Sequence, residues 1–292
     1  MSLVSGSLSK EEAHIIKGLI VGKKYKMTET KPADGYVTAE SIEFTVENTK
    51  EVQKHQMLDD VTKVEISKKD ITDSSEVPGA KLIILDKDGK KVESWTSTDK
   101  PHMVEKLPVG EYTLREEQAP DGYLIAEDVK FTVKDTGKIQ KVKMKDAHPY
   151  GKLVIKKTDS TSKAALPGAE FELREKESGK VVEKLVTDKT GTATSGKIPI
   201  ATYKNGKVEK TVEYILVETK APNGYELSSK KEEIRFEYKD GKTKVIEIVK
   251  EIKNTKSPSG STPTGNSPKT GDSTNIWLPI LLAVLSACGI GG

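Results

Sequence analysis

The sequence predicts an all-β chain of small tandem β-sandwiches, and three observations carry that expectation. Val, Ile, Thr, Lys and Tyr alternate along most of the 292 residues, with no long stretch of helical period. Hydrophobic residues make up 34% and aromatic residues 5%, so each core must be small. One segment also occurs three times: Tyr25-Lys-Met-Thr-Glu29-Thr-Lys-Pro-Ala-Asp-Gly35-Tyr36, Tyr112-Thr-Leu-Arg-Glu116-Glu-Gln-Ala-Pro120-Asp-Gly122-Tyr123 and Tyr214-Ile-Leu-Val-Glu218-Thr-Lys-Ala-Pro222-Asn-Gly224-Tyr225. Each copy reads as a strand, a turn and a tyrosine.

The composition excludes several classes. Lys+Arg 48 against Asp+Glu 45 leaves a net charge of +3, which gives no field favouring nucleic acid. The single cysteine, Cys288, allows no internal disulfide, and no Cys/His cluster has metal-ligand spacing. A small exported β-domain without disulfides would need another staple. His14, His55, His102 and His148 are scattered, and Asp86-Lys-Asp-Gly89 lacks the spacing and terminal glutamate of a calcium loop. Neither a cofactor nor a metal is expected.

Taken in order, Met1–Leu8 is small and polar, without the basic and apolar regions of a signal peptide. Residues 9–60 lie on residues 97–147 in constant register: Glu29 to Glu116 and Asp59 to Asp146 are both 87 positions apart. The second unit, 61–148, opens with the strand Val64-Glu-Ile66-Ser-Lys68-Lys-Asp70, followed by Pro78-Gly-Ala80 and the hairpin signal Asp86-Lys-Asp-Gly89. The third unit, 149–256, repeats this opening as Leu153-Val-Ile155-Lys-Lys157-Thr-Asp159 and Pro167-Gly-Ala169. Its spacing from lysine to glutamate is 61 residues against 48 in the second unit. The surplus is expected at Ile200–Thr211, with Lys204-Asn-Gly206-Lys as an exposed hairpin tip. The first unit, 1–60, has no such opening, and is expected to be the C-terminal part of a domain whose first strands lie outside this sequence. Residues 257–275 are rich in Ser, Pro, Gly and Thr and read as an extended linker. Residues 276–292 carry no charge and reach the lower limit of a membrane span.

The recurring glutamate is the chemical anomaly. Strand alternation puts Glu116 on the same face as Tyr112 and Leu114, whereas its neighbour Glu117 faces solvent. A buried carboxylate is costly unless it is paired or neutral. The rest of each full unit offers partners. Lys68 shares a face with Val64 and Ile66, and Lys157 with Leu153 and Ile155. The last strands end in Met144-Lys-Asp146 and Ile252-Lys-Asn254. A single strand lysine is usually exposed; the joint recurrence of lysine, glutamate and acceptor argues otherwise here. A buried lysine loses its preference for charge and becomes a nucleophile. A neutral glutamate beside it polarises the acceptor carbonyl and shuttles protons. An amide between two side chains is the product, with loss of water from Asp or ammonia from Asn.

These residues resemble the Cna B-type (SpaA-type) domains of Gram-positive surface proteins and pilins, most strongly in Tyr-x-Leu-x-Glu-x-x-Ala-Pro-x-Gly-Tyr around Glu116 and Glu218. The resemblance covers roughly residues 9–255. It implies reversed immunoglobulin-like β-sandwiches with self-formed isopeptide bonds, Lys68–Asp146 assisted by Glu116 and Lys157–Asn254 assisted by Glu218. In the first unit Glu29 and Asp59 match the pattern, without a lysine. Ser267-Pro268-Lys269-Thr270-Gly271 resembles the Leu-Pro-x-Thr-Gly signal of sortase substrates, with Ser in place of Leu. That likeness implies cleavage between Thr270 and Gly271 and transfer to an amine of peptidoglycan or of a pilin subunit, with the apolar segment holding the chain in the membrane beforehand. The expected protein is a secreted, cell-wall-anchored structural protein and not an enzyme: an adhesin stalk or a minor or basal pilin. The absence of a Tyr-Pro-Lys motif weighs against a polymerising backbone subunit. The alternative is a module that itself grips a host extracellular-matrix protein.

Overall fold

Alternating sequence becomes alternating burial in most strands of residues 14–258, the part of the chain that the computed structural model describes. The segment Ser267–Gly271, expected to be a sorting signal, and the apolar segment 276–292 lie outside the described residues. All nineteen regular elements among the described residues are strands. The first unit contributes β1 (Lys24–Met27) and β2 (Ile42–Thr45), an antiparallel pair with Tyr25 opposite Phe44.

The second unit is a two-layer sandwich. It runs β3 (Lys63–Asp70), β4 (Lys81–Asp86), β5 (Lys91–Thr96), β6 (His102–Glu105), β7 (Gly110–Gln118), β8 (Val129–Val133) and β9 (Ile139–Asp146). One sheet has the order β6-β3-β9 and the other β5-β4-β7-β8. Val64, Ile66, Val142 and Met144 from the first layer meet Leu82, Ile84, Tyr112 and Leu114 from the second. Each such side chain, when fully buried, contributes roughly 1.5–3 kcal/mol. The turn between β4 and β5 forms as expected: Asp86 Oδ1 accepts from the amides of Asp88 and Lys90, both at 2.9 Å, and Gly89 takes φ 79°.

The third unit repeats the plan with β10 (Tyr150–Asp159), β11 (Glu170–Glu175), β12 (Val181–Val186), β13 (Thr192–Thr194), β14 (Ile198–Pro199), β15 (Ala201–Lys204), β16 (Lys207–Thr211), β17 (Glu213–Lys220), β18 (Lys231–Arg235) and β19 (Val245–Asn254). Here β10 carries β13 and β14 along one edge and β19 along the other, against the sheet β12-β11-β17-β18. The first tyrosine of the recurring segment locks a corner in both sandwiches. Tyr112 Oη donates to Pro108 O at 2.9 Å and Tyr214 Oη to Pro199 O at 2.6 Å.

The surplus residues of the third unit form the β15–β16 hairpin, where they were expected; Lys204, Asn205 and Lys207 at its tip are exposed, but the glycine between them is not. Gly206 is buried, and a Cβ on it would fall 1.8 Å from Glu76 O of the second unit. The hairpin closes on the preceding sandwich, which sequence alternation within one hairpin cannot report. In the first unit, residues 52–59 correspond to β9 but form no ladder, because nothing among the described residues lies beside them as β3 lies beside β9.

Close backbone approach singles out Gly151. A Cβ there would meet the Phe236 ring at 2.5 Å, inside the third core. Gly151→Ala is expected to destabilise this sandwich by about 1–3 kcal/mol through overpacking, read as a lowered denaturation midpoint at unchanged slope.

Candidate functional site: a buried lysine, glutamate and acceptor in each sandwich

First and last strands run parallel and side by side in both sandwiches, and their register sets the site. Lys68 lies opposite Met144 and Asp70 opposite Asp146; Lys157 lies opposite Ile252 and Asp159 opposite Asn254. Each acceptor is therefore two residues further along the neighbouring strand than its lysine, on the same inward face. That offset is roughly 7 Å at the usual rise per residue, a span that a lysine stem covers. Parallel pairing needs a long connection between the two strands, and the intervening strands of each sandwich provide it.

In the second unit Lys68 Nζ donates to Asp146 Oδ1 and lies 2.9 Å from Glu116 Oε2. All three side chains are buried, Lys68 at 2% exposure and Asp146 at 0%. Glu116 Oε2 also accepts from Ala126 N at 2.6 Å. The remaining oxygens, Glu116 Oε1 and Asp146 Oδ2, are buried without a donor. A proton shared between the two carboxyls satisfies both. Burial pushes the Asp146 carboxyl up to about 7, against the charge of Lys68 and reinforced by Glu116.

The third unit has the same geometry with an amide as acceptor. Lys157 Nζ donates to Asn254 Oδ1 and lies 2.9 Å from Glu218 Oε1. Asn254 Nδ2 donates to Glu218 Oε1 at 3.0 Å and to Glu226 O at 3.0 Å, so the carboxamide has a single orientation, with its oxygen toward the lysine. Glu218 Oε2 accepts from Ser228 N at 2.8 Å. Desolvation lowers the pKa of Lys157, with Glu218 acting in the opposite sense, and Phe171 lies 5.5 Å from its Nζ.

The structure brings together Lys68, Glu116 and Asp146, and likewise Lys157, Glu218 and Asn254. It does not bring Glu29 and Asp59 to a lysine. Glu29 keeps its backbone clamp, accepting from Ala39 N at 2.7 Å ten residues on, as Glu116 and Glu218 do from Ala126 and Ser228. Asp59 is exposed. Two features escaped the sequence. A β-bulge follows each glutamate, leaving Glu117 and Thr219 as the extra residues opposite β4 and β11; a bulge re-aims the side chains beside it. The tyrosine that ends each segment has a partner too. Tyr123 Oη donates to Asp70 Oδ2 at 2.8 Å and Tyr225 Oη to Asp159 Oδ2 at 2.9 Å. Burial works to raise Asp70, but hydrogen bonds from Thr72, Tyr123 and His148 outweigh it and hold the carboxyl down at about 2. The shared Lys-x-Asp spacing of the two opening strands was the available signal.

Fold and site together define a tandem β-sandwich protein with a lysine, a glutamate and an Asp/Asn acceptor buried between the first and last strands of each sandwich. The chain belongs to the SpaA family of prealbumin-like fold domains, whose profile matches residues 62–148 and 151–252. No curated protein sequence matches it. Among solved structures it is similar to the Bacillus anthracis TIE protein, at 24% identity and a TM-score of 0.52 over 80% of this chain and 42% of that one. The chain thus spans less than half the length of that protein, and the likeness is one of fold. It also matches a streptococcal ancillary pilin (17% identity, TM-score 0.30, 82% of this chain and 76% of that one). A third match is the shaft pilin SpaA of Lactobacillus rhamnosus GG (15% identity, TM-score 0.27, 68% and 98%).

Removing Lys68 isolates the acid. In Lys68→Met, Asp146 loses the charge that lowers its pKa, so it is neutral when folded and ionised when unfolded above pH of about 4. Folding then binds a proton, and its contribution to stability is full below pH of about 4 and is lost as pH rises from there to beyond about 7, the value the carboxyl has with Lys68 in place. Denaturation of this variant should show stability falling by roughly 1.4 kcal/mol per pH unit at most across that window, and the slope should vanish in Lys68→Met/Asp146→Asn.

Proposed function

We propose that each full sandwich joins its own first and last strands by an amide between side chains. On this reading the chain serves as a tension-bearing stalk of a Gram-positive surface protein, an adhesin stalk or a minor or basal pilin. One observation supports this above the others. In two separate sandwiches a buried lysine Nζ contacts the Oδ1 of Asp or Asn, with a glutamate oxygen 2.9 Å from the same Nζ.

The chemistry follows from the contacts. In the third unit the neutral Lys157 amine attacks Cγ of Asn254. The Nζ–Cγ bond forms and the Cγ–Nδ2 bond breaks. Glu218, which touches both nitrogens, takes the proton from Nζ and delivers it to Nδ2, so ammonia leaves. A cleft of about 310 Å³ lined by Glu218, Ser228 and Lys230 offers it a route out. In the second unit Lys68 attacks Cγ of Asp146, the bond from Cγ to Oδ2 breaks, and Glu116 carries the amine proton to the departing hydroxyl as water. The fold aligns the groups in advance, which gives the intramolecular step a high effective molarity. Each glutamate acts once, on its own chain.

The bonds would close loops between residues 78 and 97 positions apart. By the chain-entropy argument for cross-links, each is worth about 4–5 kcal/mol, and reductants leave it intact. Because the linked strands are the first and last of each sandwich, a pull on the termini would pass through the covalent link and bypass most of the fold. Attachment by a sortase at Thr270, to peptidoglycan or to a pilin subunit, completes this reading. Incubation with a sortase and a glycine-peptide amine should yield a conjugate ending at Thr270; an uncleaved chain counts against it.

Intact mass of the purified chain tests the central claim. The expected value is below the sequence mass by one water plus one ammonia. Lys68→Ala or Glu116→Ala should restore the water alone, and Lys157→Ala or Glu218→Ala the ammonia alone. A chain at full sequence mass would refute the cross-links.

A further inference from the structure

The β15–β16 hairpin belongs to the third unit by sequence but makes no ladder with its two main sheets. It turns through Asn205 and Gly206, at φ 52° and 68°, and its distal half lies on the second unit. Tyr203 Oη donates to Gly122 O at 2.8 Å. The Tyr203 ring stacks on His148 at 3.4 Å and 3°, and meets the edge of Tyr123 at 5.2 Å. Val77, Ala119 and Tyr123 form a small separate core there, with Ile125 and Tyr203 packed against it. Gly122 and Gly206 allow the approach, since a Cβ on Gly122 would fall 2.2 Å from Val208.

The place of this contact is informative. It covers the end of the second sandwich where β3 and β9 stop, beside the lysine and its acceptor. The backbone of Lys68 is held by the segment under Gly206: Lys68 N donates to Glu76 Oε2 at 2.9 Å, and Val77 N to Lys68 O at 2.7 Å. On the other strand, His148 stands two residues beyond Asp146, and its Nε2 lies 2.9 Å from Asp70 Oδ2, which also accepts from Tyr123. Ile71 N donates to Asp146 O at 3.1 Å. The hairpin therefore bears on both reacting strands, through Glu76 and Val77 on one side and through His148 on the other.

Among the described residues the third unit has no such cover, although the two backbone bonds recur there, from Leu166 N to Lys157 O and from Ser160 N to Asn254 O, both at 2.9 Å. Its Ala165 and Lys256 stand where the second unit has Glu76 and His148, and both are exposed. Tyr225 is half-buried where Tyr123 is fully buried. Each acceptor is also held differently. The Asn254 carboxamide is fixed by its own hydrogen bonds to Glu218 and Glu226, whereas Asp146 Oδ2 has no donor.

We propose that the β15–β16 hairpin is a clasp that positions Lys68 and Asp146 of the second unit, so that the third unit assists condensation in its neighbour but not in itself. The proposal rests on the isopeptide reading of the site. The step is the one already balanced, with Lys68 Nζ bonded to Asp146 Cγ and water released. Tyr203, Gly206 and His148 are positioning residues and take no part in it.

The two cross-links in one chain supply the control. The full chain would be made by cell-free synthesis, sampled over time, digested, and both cross-linked peptides quantified. Tyr203→Ala should slow formation of Lys68–Asp146 by about tenfold or more, the scale on which small misplacements act, and leave Lys157–Asn254 at the wild-type rate. Tyr203→Phe, which keeps the stack on His148, should restore most of the rate. Unchanged Lys68–Asp146 kinetics in Tyr203→Ala would overturn the clasp. Equal slowing of both bonds would overturn it too, since the hairpin would then merely support its own unit. Wild-type chain lacking both cross-links would instead refute the isopeptide reading, and the clasp with it.

Discussion

A lysine amine buried against a carboxyl or carboxamide, between two parallel strands, is the constraint on which the rest of this structure depends. Desolvating such a group is costly, and its attraction to a buried partner offsets that cost only with complete hydrogen bonding. The surroundings are organised to supply it. A bulge re-aims each glutamate, a backbone amide ten residues later holds one of its oxygens, and the parallel register sets the acceptor one pleat beyond the lysine. On the isopeptide reading, condensation removes the problem at its source, because a neutral amide replaces an amine and an acid in the core. The burial that would destabilise a permanent ion pair would then favour the reaction that eliminates it.

The two sandwiches meet this constraint in different ways. With Asn254 as acceptor, the third site satisfies its own polar atoms: both amide hydrogens and the carbonyl oxygen have partners. With Asp146, the second site has two carboxyls and one amine, and a shared proton is needed to complete it. Its surroundings are correspondingly tighter. Tyr123 and His148 converge on Asp70, Tyr203 closes over them, and Glu76 grips the backbone of Lys68. The tandem arrangement is in this respect not a repetition of independent parts. One copy lends a hairpin to the other, and the first unit keeps the glutamate clamp of Glu29 with no lysine beside it among the described residues.

Much of this was legible in the chain. Period-two alternation placed the strands, the constant 87-residue register related the first unit to the second, and the recurring Tyr-x-Leu-x-Glu pattern flagged a carboxylate on an apolar face. Those signals are local, and local periodicity is what sequence displays directly. The roles of Lys68 and Lys157 required more, since each stands beside another lysine and a single strand cannot say which is buried; recurrence with the glutamate and the acceptor singled out Lys68 and Lys157. Asp70 carried only its Lys-x-Asp spacing, and His148 no comparable signal. Their significance comes from Tyr123, 53 residues from Asp70, and from Tyr203, 55 residues from His148, and no spacing rule connects them.

By itself the sequence determined the all-β class, the repeat, the turn chemistry at Gly89 and six of the buried polar residues, Lys68, Glu116, Asp146, Lys157, Glu218 and Asn254, because these follow from side-chain type, strand period and the recurrence of one pattern. Tertiary structure alone decided the parallel register that sets lysine against acceptor, the bulges at Glu117 and Thr219, and the docking of Gly206 on Glu76. These depend on which backbones lie side by side, and a hairpin tip rich in Lys, Asn and Gly reads the same whether it meets water or a neighbouring sandwich.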